Sequence, residues 1–387
     1  MCFLRIFLLL AIGTLTAGCA NLSYYGQAVG GQLDILARTR PISDLLDDTP
    51  AASTDISTVA PPVTPAVKAR LTTVLQIRDF ATNTLSLPDN GSYRVYVDLD
   101  RQLPARSTDA IPGIVDRAQV AWNVVATPEF SLTPKEWCFF IVGCVPYRGY
   151  FSRTSAETFA AMLKQERLDV RVAGVAAYST LGWFRDPVFS TQLRRSDSDL
   201  AALLFHELAH QQLYVSGDAA FNESFATTVE IEGMRRWLAQ GEHSADMDQY
   251  LLGKQRQAEF VEFLLTFRTQ LAQLYASGLS EDQMRAAKTR EFARLRTEYA
   301  QLRQQWGGYD GYDAWFAQGL NNAHLASIEL YHQYVPAFQA MLASVHGDLP
   351  TFYQMARTIS RLPTEERSAR LAELSNTPTH PLPKDQR

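Results

Sequence analysis

The run Leu203-Leu-Phe-His-Glu-Leu-Ala-His-Gln-Gln-Leu213 holds two histidines four residues apart, His206 and His210, with Glu207 beside the first. On an α-helix that spacing turns the second side chain by only about 40° and lifts it by about 6 Å. Both imidazoles can therefore reach one cation, and Glu207 lies on the same side. The chain has seven histidines in 387 residues, so the pairing is not background. A zinc ion in a catalytic site takes three protein ligands and keeps one position for water. The third is expected from Gly217-Asp-Ala-Ala-Phe-Asn-Glu-Ser-Phe-Ala226, where Glu223 follows His210 by 13 residues. Gly217 supplies a turn, and a helix returning antiparallel brings Glu223 opposite the histidines, with Ala226 small enough for close approach. His206, His210 and Glu223 are thus the expected ligands of one Zn2+. Glu207, beside the ion and not among its ligands, is the expected base toward a metal-bound water. The ion would lower that water's pKa, so that a nucleophile exists near neutral pH. Glu230, two turns beyond Glu223, is either an alternative ligand or a partner behind the ligand shell. Asp218 caps the second helix or orients a histidine, and Ser198 is a candidate cap for the first.

The pair of segments His206-Glu-Leu-Ala-His210 and Asn222-Glu-Ser-Phe-Ala226 resembles the gluzincin metallopeptidases, particularly the aminopeptidase N type, whose Asn-Glu-Gly-Phe-Ala segment supplies the third zinc ligand. A second resemblance spans most of the chain. Tyr24-Tyr-Gly-Gln-Ala-Val-Gly-Gly-Gln32, Cys144-Val-Pro-Tyr-Arg-Gly-Tyr-Phe151, Ala177-Tyr-Ser-Thr-Leu-Gly-Trp-Phe184 and the His206-to-Ala226 block are similar to a family of predicted bacterial lipoprotein zinc aminopeptidases. The resemblance implies hydrolysis of peptide bonds, and an oxyanion-stabilising tyrosine downstream, for which Tyr331 and Tyr334 are the candidates. It also implies that the strand before the zinc helix, Val170 to Tyr178, can pair with an extended substrate. The aminopeptidase N type carries there a Gly-Ala-Met-Glu-Asn segment whose Glu grips the free amine. Here Ala177 to Gly182 contains no acid and the next is Asp186, so aminopeptidase and endopeptidase action both stay open. The reading in another class is a non-catalytic envelope lipoprotein with a structural zinc site. Glu207 argues against it, because a structural site needs no base.

The elements that must carry these residues follow from the pattern. Tyr24 to Arg38 is helical and Pro41 stops it; residues 46–65 are a Pro-, Ser- and Thr-rich connector. Val67 to Leu85 is helical, Ser92 to Leu99 alternates as a strand does, and Ala118 to Phe151 has the Val and aromatic density of further strands. A helix over 155–168 precedes the 170–178 strand. From Asp197 to Leu374 nearly everything reads as helix: 198–215, 219–240, 247–277, 280–305, then shorter pieces. Apolar spacing in Phe263 to Tyr275 and Phe292 to Leu302 predicts a helical hairpin around Gly278. The expected class is α+β and mostly helical, with zincin-like active-site helices and a small N-terminal strand-bearing region. The expected segments are 1–18, 19–66, 67–195 and 196–387. Arg148, among aromatics, is a candidate for a substrate carboxylate or a structural ion pair, and His324 and His332 are read as ordinary polar positions.

Lys and Arg number 36 against 41 Asp and Glu, a net charge of -5, which leaves no positive surplus to displace counterions from a nucleic acid. Met1 to Gly18 has one charge, Arg5, and the apolar run Ile6 to Ile12, a core too short to span a bilayer and suited to an export signal. Its end, Thr16-Ala-Gly-Cys19, resembles a bacterial lipoprotein signal, in which the cysteine is lipidated. The expectation is a chain anchored through Cys19 in the cell envelope; Ala20 rather than Asp favours the outer membrane facing the periplasm. Two of the four cysteines then remain, Cys138 and Cys144, either disulfide-bonded in an oxidising compartment or free and buried.

Overall fold

Thr64 caps the first long helix with its hydroxyl on the Val67 amide, and Pro65 opens that helix at the one place where a missing N–H costs nothing. A computed structural model describes residues 24–47 (apart from 25 and 28), 63–99, 120–139, 143–175, 180, 182, 184–240, 244–326 and 333–375. The signal segment, Cys19, Tyr331 and His332 lie outside the described residues. In chain order the elements are β1 (Arg40–Pro41), α1 (Ile42–Leu46), α2 (Pro65–Asn83), β2 (Val95–Val97), β3 (Ala121–Thr127), β4 (Trp137–Phe139), β5 (Gly143–Val145) and β6 (Arg148–Tyr150). Then come α3 (Arg153–Gln165), β7 (Asp169–Val175), β8 (Val188–Phe189), α4 (Asp197–Gln212), α5 (Ala219–Ala239), α6 (Ser244–Tyr275) and α7 (Glu281–Gln305). The short α8 (Asp313–Phe316) and α9 (Asn322–Ala326) precede α10 (Val335–Ser344), α11 (Leu349–Ser360) and α12 (Thr364–Ser375). The fold is α+β and mostly helical, 64% of the described residues being helix, with a few small sheets.

One sheet has the order β1-β2-β8, with β1 antiparallel and β8 parallel to β2; a second has the antiparallel order β6-β3-β7; β4 and β5 form a ribbon. The alternation from Ser92 to Leu99 predicts a longer strand than the three residues found. Tyr93 sits at φ 59°, outside the extended region, and the buried Arg78 gathers the carbonyls of Pro88, Asn90 and Ser92, so this backbone is bent around a cation. The predicted strand before the zinc motif exists as β7, an edge of its sheet, with Asn321 donating to the Val170 carbonyl.

The main core gathers α2, α4, α5, α10, α11 and α12. A second core lies between α6 and α7, the hairpin expected around Gly278, which takes φ 72° in the turn. Ser280 and Gln283 form a reciprocal capping box at the start of α7. A third core joins α3 to the β6-β3-β7 sheet. Polar bonds fasten that sheet to the hairpin: Arg285 pairs with Glu129 at 2.6 Å, and Lys288 reaches Asp169 at 2.6 Å. The buried Asn322 side chain donates to the carbonyls of Glu129 and Ser131.

Candidate metal centre

Ser196, not Ser198, caps α4. Its hydroxyl accepts from the Asp199 amide at 3.0 Å, so the helix starts at Asp197, with two acids favourably placed in its first turn. Eight of the 16 residues of α4 are buried, including Leu204, Phe205, Leu208 and Ala209, which clamps the helix into the main core and fixes its azimuth. The turn to α5 uses Gly217 at φ 80°. Asp218 then caps α5 through the Phe221 amide at 3.0 Å and pairs with the buried Arg367 of α12 at 2.7 Å. One oxygen serves the cap and the other the arginine, so Asp218 anchors α5 rather than orienting a histidine.

Asn222 makes the tightest part of this connection. Its amide oxygen accepts from the Val215 N–H at 2.7 Å and its amide nitrogen donates to the Val215 carbonyl at 2.8 Å. The side chain thereby replaces a missing strand partner and locks the register of α5 against the end of α4. Farther along, Gly233 of α5 meets Phe205: a Cβ there would lie 2.8 Å from the Phe205 ring and 2.8 Å from Leu85. Contacts run 215 to 222, 206 to 223, then 205 to 233, which is antiparallel packing.

That packing brings His206, His210 and Glu223 together, with one ligand atom of each lying within 4.8 Å of the others. His206 Nε2 is 3.2 Å from one Glu223 oxygen and His210 Nε2 is 3.6 Å from the other. Ligands about 2.1 Å from a tetrahedral ion sit about 3.4 Å apart, so each imidazole–carboxylate separation is near that of two ligands on one ion, the rings meeting different oxygens of Glu223. The two rings stand nearly perpendicular, centroids 4.9 Å apart. Among the described residues this is the group of three such side chains that could hold a metal ion.

Electrostatics agree with a cation site. Burial opposes charge on His206, yet hydrogen bonds to Glu223 and Glu230 outweigh it and raise the ring to about 10. Burial lowers His210 to about 4, helped by the neighbouring His206 charge, so this ring stays neutral and keeps a lone pair to offer. Burial raises Glu207 to about 7, with the Glu223 and Asp186 charges adding to it and His206 opposing. Glu230 stays ionised, pulled down to about 2 against its burial by His206 and Lys254. Its Oε2 is 3.2 Å from His206 Nδ1, so it holds the far side of that ring from the nitrogen that faces Glu223 and is not one of the three converging side chains.

The remaining expected residues fall as follows. The Tyr334 side chain packs against the main core while its backbone N–H donates to Ser224 on α5. Arg148 is held between the rings of Tyr24 and Phe159, at 4.1 and 4.6 Å from their centroids. Cys138 and Cys144 face each other across β4 and β5 and are joined by a disulfide. Asp186 is fully buried, bonded to the Thr180 amide and hydroxyl and to Gln211 of α4. Two tyrosines near the centre carry no sequence pattern that singles them out. The Tyr214 ring lies 6.2 Å from the His210 ring, and the Tyr147 phenol, on a side chain 43% exposed, is raised by partial desolvation and by the Tyr214 and Glu223 charges.

The family model described as "Putative aminopeptidase" matches residues 23–109 and 113–371. The chain belongs to this aminopeptidase family. Membership supports a peptidase-like hydrolase, and both motif segments of the centre fall inside the matched region. No curated protein and no solved structure matches the chain.

Proposed function

We propose that this member of the aminopeptidase family is a zinc-dependent metallopeptidase acting on peptides in the cell envelope, where Cys19 anchors it by lipid. The observation that supports the reading most is the convergence of His206, His210 and Glu223, whose ligand atoms lie within 4.8 Å of one another, with the two Nε2 atoms 3.2 and 3.6 Å from the two Glu223 oxygens. A zinc ion held by these three would polarise the scissile carbonyl and acidify the attacking water. Glu207 would take a proton from the attacking water and return it to the departing amine. Burial and the neighbouring carboxylates already raise it to about 7 in the metal-free site, the direction that suits a group that takes and gives a proton. His210 stays neutral, and Glu230 holds His206 from behind. Strand β7 is an edge of its sheet and, beyond the Val170 carbonyl that Asn321 occupies, would offer backbone groups to an extended peptide.

A second reading, endopeptidase action, draws support from Asp186. The first acid after β7 is buried under bonds from Thr180 and Gln211, so it has no oxygen turned to a substrate's free amine. The test is metal analysis of the purified chain with hydrolysis of fluorogenic peptides by the parent and Glu207→Gln. Zinc retained and turnover lost in the variant is the expected result; equal turnover refutes the assigned base. Comparing free-amine with N-acetylated peptides separates the two readings.

A further inference from the structure

Glu230 has two oxygens and only one of them faces His206. The other, Oε1, is bonded by the Tyr250 hydroxyl at 3.0 Å and by Lys254 Nζ at 2.5 Å. Tyr250 and Lys254 lie four residues apart on one face of α6, and the ammonium also sits 5.7 Å from the Tyr250 ring centroid. Helix α6 supplies none of the three ligands. Its far half belongs to the second core, where Phe260, Leu264, Phe267 and Leu271 pack against α7. The Glu230 side chain is 8% exposed, a depth at which a carboxylate is tolerated only when both oxygens are occupied.

We infer that Tyr250 and Lys254 are positioning residues of the metal centre, fixing Glu230 so that its other oxygen holds the His206 ring with Nε2 toward the ion. The inference rests on the zinc reading above and adds a third helix to the centre. A carboxylate behind a ligand histidine sets ring orientation and tautomer, and losing such a partner costs about 10–100-fold in metal affinity. With both donors gone, Oε1 has no partner on α6 and the carboxylate is free to turn about its terminal bond. A frozen ring becomes a wobbling one, and the ligand set must order itself each time an ion arrives.

The test is zinc affinity of the full chain by competition with a chromogenic chelator, for the parent, Tyr250→Phe, Lys254→Arg and the double variant Tyr250→Phe/Lys254→Met. Thermal unfolding without zinc is measured alongside. The double variant should bind zinc about tenfold or more weakly, Tyr250→Phe alone should lose less, and Lys254→Arg should stay near the parent because it keeps a charged donor. A merely structural pair would lower the zinc-free melting temperature and leave the affinity ratio unmoved. A double variant binding within twofold of the parent overturns the inference. A parent that takes up no zinc removes the zinc reading itself, and that outcome is visible before any variant is compared.

Discussion

Asn222 offers the sharpest test of how the proposed ligand set is assembled. Its amide makes two bonds to the backbone of Val215, one accepted and one donated, and the side chain is buried, with only 2% exposed. Replacing it with Ala removes both bonds and leaves the Val215 N–H and carbonyl to find water in a confined turn. Each lost bond costs about 1 kcal/mol net, and each polar group left unsatisfied adds about 1–3 kcal/mol. Partial rehydration trims the total, so about 3 kcal/mol is expected. At about 2 °C per kcal/mol for a chain of this length, melting should fall by about 6 °C. Asn222→Asp is the informative companion: it keeps the acceptor for the Val215 N–H but sets a carboxylate against the Val215 carbonyl, and should be no better than Ala. Because the next residue is Glu223, both variants should also bind zinc more weakly. Thermal unfolding with and without zinc reads both effects. If Asn222→Ala melts within 1 °C of the parent and binds zinc equally well, the turn does not set the register of the second helix.

Gly233→Ala puts a methyl group 2.8 Å from the Phe205 ring and Leu85; overpacking of about 1–3 kcal/mol outweighs a helix-propensity gain of about 1 kcal/mol, and Phe205→Leu in the same chain should recover part of the loss in a double-mutant cycle. Arg367→Met strips the partner from Asp218 and leaves carbonyls of Ser360 and Leu362 unbonded, so chemical denaturation should show about 3–5 kcal/mol lost, and a loss under 1 kcal/mol would mean the pair is solvated. His324 is depressed to about 3 by burial and by the charges of Arg171 and Lys164, against about 6.5 in an unfolded chain. The unfolded state therefore binds the extra proton first; the contribution is whole above about pH 6.5 and lost as pH falls toward 3, and His324→Gln should flatten that part of the stability–pH curve.

How much of this could be read from residue order depends on the range of the interaction. His206, Glu207 and His210 are tied by helix geometry alone, and one glycine turn extends the argument to Glu223. Glu230 was legible as a residue two turns along the same face, but its choice between ligand and supporter was not, because that depends on how far α5 has advanced past α4. Tyr250 and Lys254 gave no signal: their place is set by the docking angle of α6, and a Tyr and a Lys four apart on a helix are commonplace. The helical hairpin around Gly278 was plain from its apolar spacing. Of the β1-β2-β8 sheet only β2 was legible, from the alternation over 92–99; β1 and β8 have two residues each and no period to detect, and the bend before β2 is dictated by Arg78 reaching back from another element. Ser196 displaced Ser198 as a cap by a margin of two residues, within the reach of either hydroxyl until the first turn is built.

The link between Cys138 and Cys144 encloses a loop separated by six positions, so it removes little freedom from the unfolded chain, about 2 kcal/mol against nearly 5 for a hundred-residue loop. Its leverage is on the neighbourhood. Tyr147 follows three residues after the second cysteine and feels the charge of Glu223. Reduction would leave the helical scaffold standing and slacken the β4–β5 ribbon together with the Tyr147 segment that follows it.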